Sequence, residues 1–408
     1  MSTFDSPKNT KYLFIDMNSY FASCEQQSHP EYRGKPVAVT PVNCDTGCII
    51  SASYEAKAYG VKTGNMVREA KEKCPGLIIA SSDTYAYLDY HKKIVNELEK
   101  FSPFLTVRSI DEAVIKLSPS EQSSLKALKI ASEIKSAITA KVGKCLKSSV
   151  GIGPNVFLAK QATEWKKPDG LTEIKLEDLS SYYKKIKLTD IKGINFRMEI
   201  RLKYLGFFYP YDLFKATSAN LKERMGIMGE YWHLKLHGYD IDDHELPTPK
   251  TIGHSHVLEP KMRSWDLAWS VCQKLVEKAG YRLRQANLTS AGVFLGVKFL
   301  GQGAWKKGAK ISPIIDNFNM LRAIRHFWRQ IPKDDNLPLR IGICFFNLKK
   351  PQFQQMHLFT SFQKPEDLSL AVDSINDRYG AYTIQSANTF YAQDAAPVRI
   401  SFGQPDAF

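Results

Sequence analysis

The first part of the chain combines short apolar runs with stretches of helical spacing. Residues 12–15 (YLFI) form an apolar run that stops at Asp16, which predicts a buried strand ending in an acid. Helical patterns cover 18–27, 84–100 and 121–142. Further strands are predicted at 105–108, 113–117 and 149–152. The order β-α-β-β-α-β predicts a ferredoxin-like sheet with a long insertion after its first helix.

The insertion, residues 28–83, is punctuated by glycine and proline and contains helical patterns near 53–59 and 66–73. After the sheet, residues 188–207 predict a helix, a glycine turn and a second helix. Helical patterning then continues to about residue 238. The polar stretch 241–250 contains two prolines, which predicts a linker.

A second α+β domain is predicted at 251–350. Three β-rich runs (TIGHSHVL, AGVFLGVKFL and LRIGICFFNL) are separated by helical runs near 264–284 and 316–330. The pattern weakens over 351–408, which we interpret as a C-terminal tail. The chain is therefore expected to be an α+β multidomain protein.

The charge is unevenly distributed along the chain. The 408 residues are 43% hydrophobic and 24% charged, which excludes disorder over the whole chain. The formal net charge is +14, and the window 251–350 has 17 lysines and arginines against six acids, a net +11. This concentration favours a polyanionic partner, either nucleic acid or an anionic membrane surface, over solubility alone.

Other features of the sequence narrow the choice of protein class. No apolar run approaches the ~18 residues of a membrane span, and the N-terminus lacks the apolar core of a signal peptide. The cysteines number seven, and the Cys44/Cys48 spacing lacks the second pair that a zinc site needs. We therefore expect reduced thiols in a cytoplasmic protein without a membrane partner.

Three acids are candidates for a metal site. Asp16 ends the first predicted strand, and Asp111-Glu112 lie at the hairpin between the next two. Because the first and third strands of this topology pair centrally, the three carboxylates can converge on one edge of the sheet. Carboxylate clusters suit Mg²⁺, which keeps waters and substrate phosphates as further ligands. The alternative is that each acid caps a turn or is solvated.

Four separated stretches resemble the Y-family DNA polymerases, the translesion enzymes. They are YLFIDMNSYFASCE (12–25), SASYEAKAYGVKTG (51–64), SIDEAVIKL (109–117) and SVGIGPNVFLAKQATEWKKPDGL (149–171). The resemblance implies a ferredoxin-like palm with inserted fingers, a helical thumb and an α+β little finger. The implied domains are palm 1–27 and 84–167, fingers 28–83, thumb 168–240, linker 241–250, little finger 251–350 and tail 351–408.

The resemblance also implies roles for the acids. Asp16, Asp111 and Glu112 would bind two Mg²⁺ ions, with the carbonyl of Met17 as a further ligand and Mn²⁺ as a substitute metal. Phe21 falls at the aromatic steric-gate position, where its ring would exclude a 2′-hydroxyl. The alternative for Phe21 is a core aromatic on a helix.

Four further residues match positions that hold the nucleotide triphosphate in the family. Tyr54 offers a hydroxyl, Lys57 and Lys167 offer charges, and Ser51 is a weaker phosphate contact. Lys57 stands where an arginine is often found, so bidentate geometry is lost. The alternative for both lysines is a solvated surface charge.

The thumb and the basic domain resemble the family by pattern. Residues 188–207 resemble a helix-hairpin-helix whose Gly193-Ile194 turn can present backbone N–H groups to a DNA phosphate. Asn195 stands where a second glycine is usual, so a plain helical turn is equally open. The lysines and arginines of 251–350 would hold primer-template phosphates without reading bases.

The tail contains QMHLF at 355–359, which resembles the bacterial sliding-clamp pentapeptide. The clamp-binding residues would be Gln355, Met356, Leu358 and Phe359. The alternative is an apolar strand end packed on its own domain. The tail and the DTGC segment (45–48) favour the UmuC branch, while the finger motif also fits the DinB branch.

The sequence thus predicts a translesion DNA polymerase of low fidelity and low processivity. It would extend a primer with deoxynucleoside triphosphates by two-metal-ion transfer, in the cytoplasm and close to the nucleoid. The sliding clamp is an implied partner, and SOS accessory subunits remain open. The alternatives are a catalytically weak accessory subunit that binds DNA and clamp, and a different two-metal enzyme such as a cyclase. Retention of all three acids argues against the accessory subunit, and the basic domain argues against the cyclase.

Overall fold

The computed structural model describes residues 7, 10–41, 44–45, 47–241, 250–301, 303–333, 336–351 and 363–396. These residues fall into two compact units, one within 1–245 and the other within 246–399. Among the helices of this described part, none is long and apolar enough to cross a membrane.

The strands of the first unit are β1 Tyr12–Met17, β2 Val37–Thr40, β3 Ser51–Ala52, β4 Ile78–Ser81, β5 Leu105–Val107, β6 Glu112–Lys116, β7 Ser148–Gly153 and β8 Leu171–Glu173. Its helices are α1 Tyr20–Ser28, α2 Tyr54–Ala58, α3 Val67–Lys73, α4 Thr84–Leu98, α5 Ser124–Ala137, α6 Val156–Thr163, α7 Leu179–Tyr183, α8 Phe196–Tyr204, α9 Pro210–Lys215, α10 Ser218–Met225 and α11 Ile227–Leu236.

The central sheet of this unit has the strand order β5-β6-β1-β7-β8. The first four of these strands have the antiparallel order of a ferredoxin-like fold, with β1 in the middle. Every residue of β1 is buried, as its unbroken apolar run predicts. The predicted ferredoxin-like palm is confirmed, and β8 adds a strand parallel to β7.

The inserted segment 28–83 contains a second sheet, of order β3-β2-β4. Helices α2 and α3 match the predicted helical patterns, whereas the three strands were not predicted. Each strand has four residues or fewer, too short to show a clear period of two. Buried residues of β2 and β3 form a small core with α2 and α3, and Ile79 of β4 packs against it. Val37, Val39 and Ala80 instead join the core of the central sheet.

The predicted hairpin at 188–207 differs from expectation in its first arm. That arm is a single 3₁₀ turn, Leu188–Asp190, instead of a full helix. The chain then turns at Gly193, whose φ of 92° ends helical geometry. Asn195, at the position of the usual second glycine, caps α8 by accepting the Met198 N–H at 2.9 Å.

The second unit is built from β9 Thr251–Val257, β10 Thr289–Phe299, β11 Ala304–Ile314 and β12 Pro338–Lys349 with α12 Trp265–Gln285, α13 Asn317–Trp328 and α14 Gln363–Tyr379. The antiparallel sheet has the order β11-β10-β12-β9, and α12 and α13 bury their apolar faces in one core with it. Strand β11 was not predicted because its sequence is rich in lysine and small residues. It lies at the edge of the sheet, where polar side chains are tolerated.

The second unit extends past the predicted boundary at residue 350. Arg284 on α12 forms two hydrogen bonds to the Asp373 carboxylate on α14, at 2.5 and 2.8 Å. Lys274, also on α12, donates to the carbonyl oxygens of Ala392 and Gln393 at 3.0 and 2.6 Å. Residues 363–396 are therefore folded onto α12, although their sequence pattern is weak. The linker residues 242–249 and the peptide 355–359 lie outside the described residues.

Candidate active site

The central pairing of β1 with β6 brings the three predicted acids to adjoining positions. Asp16 is the register partner of Glu112 across the two strands. The Met17 N–H donates to the Asp111 carbonyl oxygen at 2.9 Å, which continues the pairing past the end of β6. The acids lie about 95 residues apart in sequence, so it is the sheet topology that joins them.

Burial makes ionisation of two of these acids costly. It is the largest cause that raises the pKa of Asp16 to about 6, and the Glu112 charge raises it further, while Lys167 opposes the rise. Burial also raises the pKa of Asp111, against a 2.6 Å hydrogen bond from the Ser109 hydroxyl. A group of carboxylates this poorly solvated is stabilised by cations.

Two lysines supply positive charge in the structure. The Lys167 ammonium lies 2.9 Å from Asp16 Oδ1, and the Lys160 ammonium lies 2.5 Å from Glu112 Oε1. Lys160 is on α6, which packs closely on β7. A Cβ atom on Gly151 would lie 2.0 Å from the Ala159 carbonyl oxygen, so glycine in β7 permits this approach.

A loop network fixes the segment that carries Lys167. The Asp169 N–H donates to Asn18 Oδ1 at 2.7 Å, and Asn18 in turn donates to the Ser149 hydroxyl at 3.0 Å. Lys135 on α5 pairs with the Asp169 carboxylate at 2.6 Å. Because Asn18 follows β1 directly, this network ties the loop to the strand that carries Asp16.

The inserted segment contributes Tyr54 and Lys57 from α2. The Lys57 ammonium donates to the Ser19 hydroxyl at 2.7 Å and lies 4.4 Å from the centre of the Tyr54 ring. Burial and then repulsion from Lys167 lower the pKa of Lys57, and burial raises the pKa of Tyr54. The structure therefore brings both residues into electrostatic range of Lys167 and Asp16. Ser19 itself has a positive φ of 48°, an uncommon backbone conformation outside glycine.

Ser51 and Phe21 lie at the junction of α1 with the inserted segment. The Ser51 hydroxyl accepts the Ala22 N–H at 3.3 Å. Phe21 is 8% exposed, and its ring centre lies 4.7 Å from that of Tyr87 on α4. Phe21 thus packs in the core and keeps a small exposed edge, so both interpretations of this residue stay open.

The acids fit a divalent cation in their chemistry. The donor set is entirely oxygen, which suits Mg²⁺. Among the described residues, no group of three or more His, Cys, Asp and Glu side chains is already arranged around a metal position. Lys160 and Lys167 pair with Glu112 and Asp16, so each of these two acids already has a cationic partner in the structure.

Three charged residues of the site were not predicted from sequence. They are Lys160, Glu164 and Lys192. Glu164 Oε1 lies 2.9 Å from the Lys167 ammonium and 2.7 Å from the Lys192 ammonium. Lys160 lies on α6 and Glu164 caps the end of that helix four residues later, a spacing that could have identified both. Lys167 follows three residues after this cap, beyond the end of the helix.

The second unit presents basic side chains on its edge strand. Lys306, Lys307 and Lys310 on β11 are exposed. Their neighbour Trp305 is half-buried beside them and belongs to the margin of the core. The basic character predicted for 251–350 is thus partly concentrated on one strand.

Comparisons with known proteins agree with the fold and the motifs. The impB/mucB/samB family model matches residues 15–164, and the model of that family's C-terminal domain matches 249–358. DNA polymerase IV of Pelotomaculum thermopropionicum is 32% identical over 92% of this chain and 94% of its own. DNA polymerase IV 1 of Bacillus subtilis is 28% identical over 98% of both chains.

A solved structure supports the same conclusion for the fold. A Y-family DNA polymerase chimera built on Dbh superposes with a TM-score of 0.72 at 24% identity, over 83% of this chain and 99% of its own. The two bacterial relatives above both carry the name DNA polymerase IV. The chain belongs to the impB/mucB/samB family, the Y-family of DNA polymerases.

Proposed function

We propose that this protein is a template-directed DNA polymerase of the translesion type, which adds deoxynucleotides to a primer 3′-hydroxyl opposite damaged template. The observation that carries the proposal is the adjoining placement of Asp16, Asp111 and Glu112 on β1 and β6, with Lys167 and Lys57 beside them. The carboxylates on the two paired strands can bind a metal, and the lysines beside them can bind a triphosphate.

Asp16, Asp111 and Glu112, with the Met17 carbonyl, are the residues we assign to two Mg²⁺ ions, for which Mn²⁺ can substitute. Bound there, such ions supply activation of the 3′-hydroxyl and neutralisation of the pyrophosphate leaving group. The raised pKa values of Asp16 and Asp111 support the assignment, because carboxylates that are costly to ionise alone are stabilised by a dication.

Lys57 and Lys167 are assigned to the triphosphate, with Tyr54 as a hydroxyl donor and Ser51 as a weaker contact. Burial is the largest cause that lowers the pKa of Lys57, and repulsion from the Lys167 ammonium lowers it further. A polyphosphate relieves that repulsion. Lysines here act as point charges, without the bidentate geometry of arginine.

Phe21 is assigned to sugar selection. Its ring is fixed by packing on Tyr87 at 4.7 Å, and it keeps 8% of its surface exposed. A ring that cannot move aside discriminates against a 2′-hydroxyl more sharply than a mobile one. The same packing makes Phe21 part of the core, so a structural role and a role in sugar selection are compatible.

The primer-template is the polyanionic partner that we assign to the basic second unit and to the Gly193-Ile194 turn. The exposed lysines of β11 support phosphate contacts that do not depend on base sequence. A polymerase needs such contacts because it moves along every sequence. The bacterial sliding clamp is the proposed partner of Gln355, Met356, Leu358 and Phe359.

Primer extension tests the proposal. Wild-type protein with Mg²⁺ and all four deoxynucleoside triphosphates is expected to extend a primer on undamaged template and past an abasic site. The catalytically weak accessory subunit is not favoured, because all three acids and their lysine partners are present. DNA binding without extension on either template would favour it and reject the polymerase.

A further inference from the structure

Glu164 lies at the centre of a chain of charges that links the acids to the thumb turn. Its carboxylate contacts the Lys167 ammonium at 2.9 Å and the Lys192 ammonium at 2.7 Å. Lys167 in turn lies 2.9 Å from Asp16. One ammonium is therefore shared equally between an acid of the proposed metal site and an acid outside it.

The position of Lys192 is fixed by a buried glutamine. Gln161 on α6 is 2% exposed, and its side chain donates to the Asp190 carbonyl oxygen at 2.8 Å and accepts the Lys192 N–H at 3.0 Å. Gln161 and Glu164 lie three residues apart on the same helical face. One holds the backbone of the turn, and the other holds its lysine side chain.

The Lys167 ammonium and a bound metal would compete for Asp16. Lys167 neutralises Asp16 in the free site, and the same positive charge would repel a dication that ligates Asp16. Lys167 must then leave Asp16 and still remain close enough to meet a triphosphate. Glu164 offers an alternative partner at the same distance from the ammonium, 2.9 Å.

We propose that Glu164 is a positioning residue whose carboxylate attracts the Lys167 ammonium away from Asp16. Lys192 pairs with the same carboxylate and thereby weakens its attraction for Lys167. The inference rests on the proposed function, since it concerns how the metal and the triphosphate gain access to one site. The lowered pKa of Glu164 is consistent with it: burial alone raises that pKa, and hydrogen bonds from Lys192 and Lys167 outweigh the burial.

Substitutions of Glu164 and of Lys192 are predicted to change the metal affinity in opposite directions. In Glu164→Gln the attraction of Lys167 to residue 164 is lost, so the Lys167 ammonium stays paired with Asp16 and competes with the metal. In Lys192→Met the Glu164 carboxylate has one cationic partner fewer, so it attracts Lys167 more strongly. Lys167 then competes less with the metal for Asp16. A general loss of stability would weaken metal binding in both variants and could not produce this pattern.

The test is a Mn²⁺ titration followed by electron paramagnetic resonance, on the full chain bound to a dideoxy-terminated primer-template with the next nucleotide. No turnover occurs in this complex. The Mn²⁺ concentration at half-saturation is expected to rise about tenfold in Glu164→Gln and to fall about twofold to threefold in Lys192→Met, which lies within the range of the net contribution of one hydrogen bond. The Mg²⁺ dependence of primer extension should shift in the same directions.

The chain offers a matched control. Glu97 also lies between two lysines, Lys100 at 2.5 Å and Lys141 at 3.2 Å, and its carboxylate belongs to α4. Glu97→Gln is expected to leave Mn²⁺ binding unchanged. Unchanged Mn²⁺ binding in Glu164→Gln, or shifts of equal sign in the Glu164 and Lys192 variants, would overturn the inference. If wild-type protein extends primers, such a result leaves the proposed function intact.

Discussion

Replacing Asp16 by asparagine is predicted to stabilise the metal-free protein while it abolishes primer extension. Asp16 is buried at the end of β1, and burial is the largest cause of its raised pKa. The charged form is therefore less stable in the folded protein than in the unfolded chain. An asparagine side chain at this position has nearly the shape of the protonated acid and does not have this cost.

The magnitude follows from the shift in pKa. A rise from 3.8 to about 6, at 1.36 kcal/mol per pKa unit, corresponds to about 3 kcal/mol of folding free energy. The folded state of the wild type binds the proton more tightly than the unfolded state. The contribution of Asp16 to the free energy of unfolding therefore falls as the pH rises from about 4 to about 6 and is constant above that window. Asp16→Asn removes this loss, so the variant gains at pH 8 and not at pH 4.

Hydrogen exchange of the β1 segment measures the effect locally, in the presence of a chelator and at matched pH for both proteins. This readout avoids treating a chain of two units as a single two-state system. Asp89 pairs with Lys93 on the exposed face of α4 and provides the control. Asp89→Asn should change stability by less than about 0.5 kcal/mol. Equal or lower protection of β1 in Asp16→Asn at pH 8 would refute the reasoning.

Three further variants test other assignments. Phe21→Ala should raise the ratio of ribonucleotide to deoxynucleotide insertion in single-turnover assays, and an unchanged ratio would leave Phe21 as a core residue alone. Lys57→Arg should lower the nucleotide KM by about twofold to fivefold, since guanidinium can donate two parallel hydrogen bonds to phosphate; a higher KM would count against the triphosphate role. Deleting 355–359 should leave distributive extension intact and remove stimulation by the clamp, whereas persistent stimulation would discard the motif.

The palm was predictable because its signals are strong and local. The apolar run before Asp16 and the helical spacing over 121–142 indicate the element type directly, and the order of elements then limits the topology. The three acids followed from that topology, since the pairing of β1 and β6 is what brings them together.

Other elements give little signal in the sequence for identifiable physical reasons. Strands β2 to β4 pack against α2, α3 and the central sheet, and the sequence of a single strand does not reveal these contacts. The predicted tail contains α14, which contacts α12 through the Arg284–Asp373 pair, two residues 89 positions apart in sequence. Lys160 and Glu164 lie on a recognisable helical face, but their partners come from a strand and a turn elsewhere in the chain.

The most direct test of the central claim is primer extension by Asp111→Asn. Asparagine keeps the size of the side chain and removes the charge assigned to the metal, while Asp111 has no assigned contact with DNA. With Mg²⁺ and saturating nucleotides, the variant is expected to lose about 100-fold to 1,000-fold in extension rate, in line with losses at preorganised electrostatic centres. Its affinity for primer-template should be unchanged. Extension at the wild-type rate would contradict the assignment of Asp111 to the metal site and with it the proposed mechanism.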